Sequence, residues 1–334
     1  MITFAARRLW SAMFVLVFVA VVIFAIARVI PGDPAVALSG EGATTAQIQA
    51  LRAQLQLDEP LPIQLATYIG GLARGDLGTS LRTNRPIRQE LAQRLPATLE
   101  LSLSALFLAL VVGIPLGVLS AIRSNRLSDH AVRILSLIGV SAPVFWLALF
   151  LQIIFSVNLN WLPVSGRIDP LLQPTTITGF LIVDGILTGE WNVVASALRH
   201  LILPALVLAA FLAGTLVRLV RVGMLDEMRQ DYVRTAQAKG LRRNSVWFGH
   251  VLRNSLLPAV TIVGLKFAEL LGGAILTETV FSWPGMGRYM YEAIRTRDYP
   301  VIQGATLLFA IMFIFCSLLI DLLYGYLDPR IRFR

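Results

Sequence analysis

Apolar runs long enough to cross a lipid bilayer recur along this sequence, and that recurrence leaves few folds open to it. The first, Leu9 to Ala27, follows Arg7 and Arg8; at about 1.5 Å per residue it just crosses a hydrocarbon core of about 30 Å. Five more follow: Leu99 to Ile122, Ile134 to Val157, Leu201 to Val217, Leu256 to Leu276, and Val301 to Leu323. A chain that is 56% hydrophobic and only 15% charged is too apolar for an ordinary soluble domain. The pattern therefore predicts an all-α integral membrane protein with six transmembrane helices. Ala25-Ile26-Ala27 mimics a signal-peptidase site, but the run is longer than a secretory h-region and further spans follow, which argues against cleavage.

Charge orients these spans. The formal charge of +9 is almost wholly arginine, since Lys239 and Lys266 are the only lysines. On a six-span reading, the inner segments hold Arg7 and Arg8, three arginines of the second link (Arg123, Arg126, Arg133), eight basic residues from Arg218 to Arg253, and three at the tail. The outer links after the third and fifth spans hold five: Arg167, Arg199, Arg288, Arg295 and Arg297. The bias predicts both termini in the cytoplasm and contact with anionic membrane lipid rather than nucleic acid. Cys316 is the single cysteine, so neither an intrachain disulfide nor a cysteine metal cluster can form.

Three divisions are expected: residues 1–28 with the first span, a small helical extracytoplasmic subdomain over 29–98, and a membrane domain over 99–334 with an inner loop at about 222–258. In the subdomain Thr44 and Gln47 read as a capping box ahead of the stripe Ile48, Leu51, Leu55. Ile63 to Leu72 and Ile87 to Leu95 read as further short helices about the turn Arg74-Gly75-Asp76-Leu77-Gly78. Such a subdomain is either a lid on its own spans or a docking surface for an external partner. Gly113-Ile114-Pro115-Leu116-Gly117 predicts a kink or a close helix approach in the second span. Gly179 to Leu187 is too short for a span and is expected at the outer interface.

The inner stretch Tyr232 to Pro258 carries a helix-turn-helix grammar. Leu225 to Lys239 holds good helix formers, and Gly240 stands where a left-handed residue ends a helix. Asn244 or Ser245 can cap a second helix with Val246, Trp247, His250 and Val251 on one face, which then meets Pro258. A DNA-binding role fits poorly with both ends tethered in a bilayer. Basic residues beside spans are also ordinary topology signals, so the corner with Ala236, Ala238 and Gly240 is the more specific feature.

No catalytic set is visible. The phosphate-loop pattern G-x-x-x-x-G-K-[ST] is absent, Gly285-Met286-Gly287 lacks the strand and helix of a nucleotide site, and no HExxH or GxSxG occurs. If ATP drives this protein, another subunit hydrolyses it. Lys266 and Glu269 lie three apart in the fifth span, where ionisable groups are costly unless paired or wetted; they either neutralise each other or line a pathway. Asp321 reads as a helix-end contact.

These residues carry a family resemblance. Tyr232 to Pro258 resembles the EAA loop of ABC importer membrane subunits, whose coupling helix docks in a groove of a cytoplasmic ATPase. Arg234, Thr235 and Ala236 stand where that signature has Glu-Ala-Ala, Gly240 stands at its glycine, and Leu257-Pro258 at its Leu-Pro. The signature's glutamate is absent, and the interval from Gly240 to Pro258 is longer than the general signature. VIPGDPA (Val29 to Ala35), GDLGTS (Gly75 to Ser80), RLPATLEL (Arg94 to Leu101), TETVFSWPGMGR (Thr277 to Arg288), RDYPVIQG (Arg297 to Gly304) and DPRIR (Asp328 to Arg332) are similar to the first permease subunit of bacterial dipeptide and oligopeptide importers. The insertion from Pro163 to Val183, with PVSGR in it and TGFLIVD at its end, is similar to the dipeptide branch.

The resemblance implies the type I ABC importer permease fold in a bacterial inner membrane. It also implies a homologous second permease, two ATPase subunits that use ATP and Mg, and an extracytoplasmic peptide-binding protein; the chain itself would bind no cofactor or metal. The coupling residues it implies are Arg234, Thr235, Ala236, Ala238, Lys239, Gly240, Leu241, Arg242, Leu257 and Pro258, with Lys266 and Glu269 as candidate pathway residues. Haem, glutathione or nickel are alternative substrates. A secondary transporter or channel would instead show inverted repeats and buried ion ligands, and no convincing repeat is present.

Overall fold

A computed structural model describes residues 2–29, 44–54 and 57–327. Most of VIPGDPA, all of DPRIR, and the side chains of Gln47, Leu51 and Leu55 lie outside the described residues. The described chain is helical: α1 (Ile2–Val29), α2 (Thr45–Gln54), α3 (Leu61–Ala73), α4 (Ile87–Ile122), α5 (Leu127–Ser141), α6 (Val144–Leu151), α7 (Leu181–Thr188) and α8 (Trp191–Glu227) come first. Then follow α9 (Asp231–Ala238), α10 (Arg243–Val246), α11 (Leu252–Gly273), α12 (Ile275–Val280), α13 (Met286–Thr296) and α14 (Tyr299–Leu327). Wider π turns extend α6 over Gln152–Asn158 and join α10 to α11 over Trp247–Val251.

Among the described residues, three helices are long and apolar enough to cross a membrane alone, in α4, α8 and α14, and two bent pairs bring the number to five. The first expected span lies in α1, whose apolar stretch Trp10–Ile26 is shorter. At about 1.5 Å per residue, the 37 residues of α8 extend about 55 Å, so both of its ends project beyond a core of about 30 Å. α4 and α8 form the central pair. They touch where a Cβ on Gly117 would sit 2.7 Å from Val220 Cβ, the close approach that Gly113 to Gly117 predicts. α5 crosses α8 as closely, with Gly214 against the Ser136 carbonyl.

Several helix limits differ from the sequence reading. The short helix expected over Ile87 to Leu95 and the span beginning at Leu99 are one helix, α4, running through Pro96. Buried Ile87, Leu91, Ala97 and Leu101 clamp it on both sides of the proline, and this packing outweighs the lost hydrogen bond. The third span, expected from Ile134 to Val157, starts at Leu127 and bends by 108° between α5 and α6. Ala142 precedes Pro143 and takes an extended conformation at ψ 130°, as steric conflict with the proline ring requires. Of the stretch Gly179 to Leu187, expected at the outer interface, the part from Leu181 onward forms α7, which runs to Thr188. α3 packs on α1 through a stacked Phe24–Tyr68 pair at 5.7 Å and an Arg28 Nε bond to Gln64 Oε1 of 2.8 Å.

Candidate functional site

Where α8 runs out, the polar stretch builds a compact corner. The single helix expected over Leu225 to Lys239 is broken: α8 stops at Glu227, residues 228–230 turn, and α9 begins with Gln230 extended at ψ 151°. The turn brings Val233 into a buried cluster with Met224, Val246 and Val251. α9 ends as a glycine predicts. Gly240 sits at φ +74°, its N–H donates to Gln237 O at 2.9 Å, and the Leu241 N–H donates to Ala236 O at 3.3 Å. This pair of bonds is the Schellman arrangement, satisfying two carbonyls that the helix end leaves open.

The second helix starts earlier than either proposed cap. Arg242 occupies the cap position in an extended conformation and α10 begins at Arg243, without a side-chain cap bond. Burial of Val246 and Val251 sets the helix phase, and Asn244 and Ser245 remain exposed. Trp247 is half-buried with the Arg243 guanidinium 4.7 Å from its ring, while His250, expected on the same face, is exposed. Pro258 does not end this helix. It lies inside α11, where the axis bends by 50° between Leu256 and Pro258. A proline removes one hydrogen bond and pushes on the preceding carbonyl, so a bend is the expected cost.

The sequence-predicted coupling residues fall on two faces. Val233 is the one fully buried residue of α9 and Ala236 is half-buried. Arg234, Thr235, Ala238, Lys239, Gly240, Leu241 and Arg242 are exposed around the corner. The Arg234–Asp231 pair, at 3.5 Å and with both side chains largely in solvent, adds little stability. Tyr232 is a tie: its hydroxyl donates to Glu227 Oε2 at 2.6 Å and accepts from Asn254 Nδ2 at 3.2 Å. Burial, then the bond to Glu227, pushes the Tyr232 hydroxyl above its ordinary range. The corner is thereby fastened to the ends of both α8 and α11. Leu257 and Pro258 are separate from it, several turns along the helix.

Lys266 and Glu269 do meet, with Nζ–Oε distances of 2.7 and 3.0 Å on one face of α11. Glu269 is exposed, and the Lys266 ammonium lies 5.7 Å from the Phe211 ring. The two form an ion pair at their three-residue spacing, open on the Glu269 side. Asp321 lies within α14, not at its end.

At the opposite end of α4, α8 and α11 lies a polar knot that the sequence reading missed. Glu278 of α12 is fully buried, accepting from Thr98 Oγ1 at 2.7 Å and from the Arg288 N–H at 2.9 Å. Thr98 Oγ1 in turn accepts the Met286 N–H at 2.8 Å, and Trp283 Nε1 donates to the Ala97 carbonyl at 2.9 Å. Burial pushes the Glu278 carboxyl up to about 7. Gly285 makes room for it: a Cβ there would lie 2.4 Å from the carboxyl. Nearby, Asp298 accepts from Ser80 Oγ at 2.7 Å and from the Leu81 N–H at 3.0 Å, binding the GDLGTS loop. Arg167 reaches Glu100 at 2.6 Å and the Gly179 carbonyl at 2.8 Å, binding the 163–183 insertion. The available signal was chemical. A glutamate followed at short range by Trp-Pro-Gly-x-Gly is costly beside a membrane unless a tight loop wraps it.

Comparison with known proteins bears on this arrangement. The family model described as "binding-protein-dependent transport system inner membrane component" matches residues 113–333, and the model of its N-terminal part matches residues 1–102. The dipeptide transport system permease protein DppB of Alkalihalophilus pseudofirmus is 44% identical over 333 residues, covering 100% of each chain. The di/tripeptide transport system permease protein DppB of Pseudomonas aeruginosa is 45% identical with 99% of each chain covered. The probable D,D-dipeptide transport system permease protein DdpB of Escherichia coli is 45% identical, covering 97% of this chain and 96% of the other. Among solved structures, an inward-facing MetNI methionine ABC transporter chain superposes with a TM-score of 0.54 at 16% identity, over 72% of this chain and 97% of that one. That likeness speaks to the fold.

Proposed function

This chain belongs to the family of binding-protein-dependent transport system inner membrane components, and from that premise we propose that it is the permease subunit through which an ATP-driven importer moves dipeptides or short peptides into the cytoplasm. Full-length relatives named for dipeptide and di/tripeptide transport support that substrate class. The observation that carries the mechanism is the corner from Asp231 to Arg242. It is an exposed polar helix with one buried anchor, tied to α8 and α11 through the Tyr232 hydroxyl.

In this reading Arg234, Thr235, Ala238, Lys239, Leu241 and Arg242 form the surface that docks on a cytoplasmic ATPase, and Gly240 sets the angle between its two arms. Ala236 and Val233 seat the corner on the bundle. A push on α9 reaches α8 through the 228–230 turn and reaches α11 through the Tyr232–Asn254 bond, so closure of two ATPase subunits would tilt two spans together. Leu257 and Pro258 place the bend on which α11 swings. Lys266 and Glu269, paired yet open on one face, would meet either the peptide pathway or the homologous second permease. Residues 29–98 would meet an extracytoplasmic peptide-binding protein. Both termini then face the cytoplasm, and ATP and Mg are handled by the partners alone.

The test is coexpression with the partner subunits in nanodiscs, reading ATP hydrolysis and peptide uptake with and without loaded binding protein. Gly240→Leu has open space for its side chain but must hold φ +74°, a strain of about 1 kcal/mol. The expected result is normal assembly with uptake uncoupled from hydrolysis. Uptake at the wild-type rate would remove the corner from the mechanism, and a chain that purifies active without any ATPase would remove the importer reading altogether.

A further inference from the structure

One turn in from the corner end, between α5 and α8, lies a cavity of about 390 Å³. α5 contributes His130, Arg133 and Leu137, and α8 contributes Arg218, Arg221 and Val222, at spacings that put each set on one helix face. Arg221 is already neutralised. Its Nε lies 2.8 Å from Asp129 Oδ1 and its Nη2 lies 2.9 Å from Oδ2, and Asp129 is further held by the Asn125 N–H. Arg133 and Arg218 are exposed and make no ion pair with any described residue. The next carboxylate along α8, Asp226, lies one turn beyond Val222 and is itself exposed. The mouth therefore carries two uncompensated guanidinium groups, and Ile134, Leu137 and Val222 around it are exposed apolar side chains.

We propose that this cavity binds the phosphate of an anionic glycerophospholipid, bracketed by Arg133 and Arg218, with the first acyl methylenes against Ile134, Leu137 and Val222. An arginine at the end of a span is costly unless it snorkels or meets an anion, and its planar fork matches phosphate oxygens. Two unpaired positive charges favour a headgroup with net negative charge over a zwitterionic one. The aliphatic rim selects the source, because free phosphate gains nothing from apolar walls. Arg221, neutralised by Asp129, also lines the cavity and adds no net charge to it.

The full chain, coexpressed with its partner subunits, is reconstituted in nanodiscs of phosphatidylcholine with about one phosphatidylglycerol in ten lipids. It is then extracted gently and its retained lipid is identified by mass spectrometry. Wild type is expected to retain phosphatidylglycerol preferentially. Arg133→Gln with Arg218→Gln should lower that retention by roughly tenfold or more, the paired lysine substitutions should restore much of it, and Arg229→Gln should leave it unchanged. Equal retention of both lipids by wild type, no loss in the glutamine pair, an equal loss with Arg229→Gln, or displacement by millimolar inorganic phosphate would each overturn the proposal. The wild-type preference decides the matter even where the paired substitution fails to fold. Lipid retention is read without ATP or peptide, so the outcome is independent of the transport reading.

Discussion

The corner at residues 231–242 and the knot around Glu278 are built in opposite ways. The corner is closed by its own backbone, through bonds between residues three and five apart, and one buried valine anchors α9. The knot is closed by side chains far apart in sequence: Thr98 with Glu278, Ala97 with Trp283, and Ser80 with Asp298. A local element with a small buried anchor can be displaced as a unit while keeping its shape. A buried network joining several segments loses all its bonds if any one segment moves. On the proposed coupling mechanism the corner is therefore the part expected to move, and the knot the part expected to stay fixed.

Overfilling the knot breaks this contrast most sharply. Gly285→Val drives its side chain into the Glu278 carboxyl, and the expected loss is about 3 kcal/mol. It should appear as a lower melting temperature in detergent and as proteolysis across residues 275–300. A variant as stable as wild type would show that the knot is loose.

A finer test uses pH. The Glu278 carboxyl is raised from 4.5 to about 7 in the folded chain, so between those values the folded state binds more protons than the unfolded one. Its contribution to stability is therefore complete below about 4.5 and declines as pH rises through about 7. Glu278→Gln should remove this part of the slope in hydrogen exchange of α12 and α13, while lowering stability overall because an amide cannot accept at both positions. An unchanged slope would assign the titration to another group.

The smallest effect is expected at the corner. Val233→Ala removes the buried anchor of α9 at a cost of about 1–2 kcal/mol. Because α9 is otherwise exposed, the loss should be local, seen as faster exchange and cleavage over residues 228–242 with the melting temperature nearly unchanged. A global loss of stability would mean that corner and bundle fold as one unit.

The corner was largely legible in the sequence and the knot was not, for a reason visible in particular residues. Gly240 announces its left-handed conformation through a steric rule that needs no tertiary contact. Pro143 likewise announces that Ala142 will be extended. Glu278 lies in the segment TETVFSWPGMGR, but nothing within a few residues of it names Thr98 as its partner. The same gap explains the misplaced limits of α4 and α9. Pro96 and the helix formers of 225–239 state local preferences, and buried Leu101 and Val233 overrule them.

The sequence by itself determined the solvent, the class and the family: apolar runs matched to bilayer thickness, arginines clustered beside them, and a glycine-closed polar stretch between two spans. Bilayer thickness and backbone sterics act over one helix, so one stretch of sequence suffices to read them. Only the tertiary structure decided where α5 bends away from α6, which arginine Asp129 neutralises, and how Glu278 is enclosed. Those outcomes depend on contacts between segments up to 218 residues apart, whose energies exist only once the helices have packed.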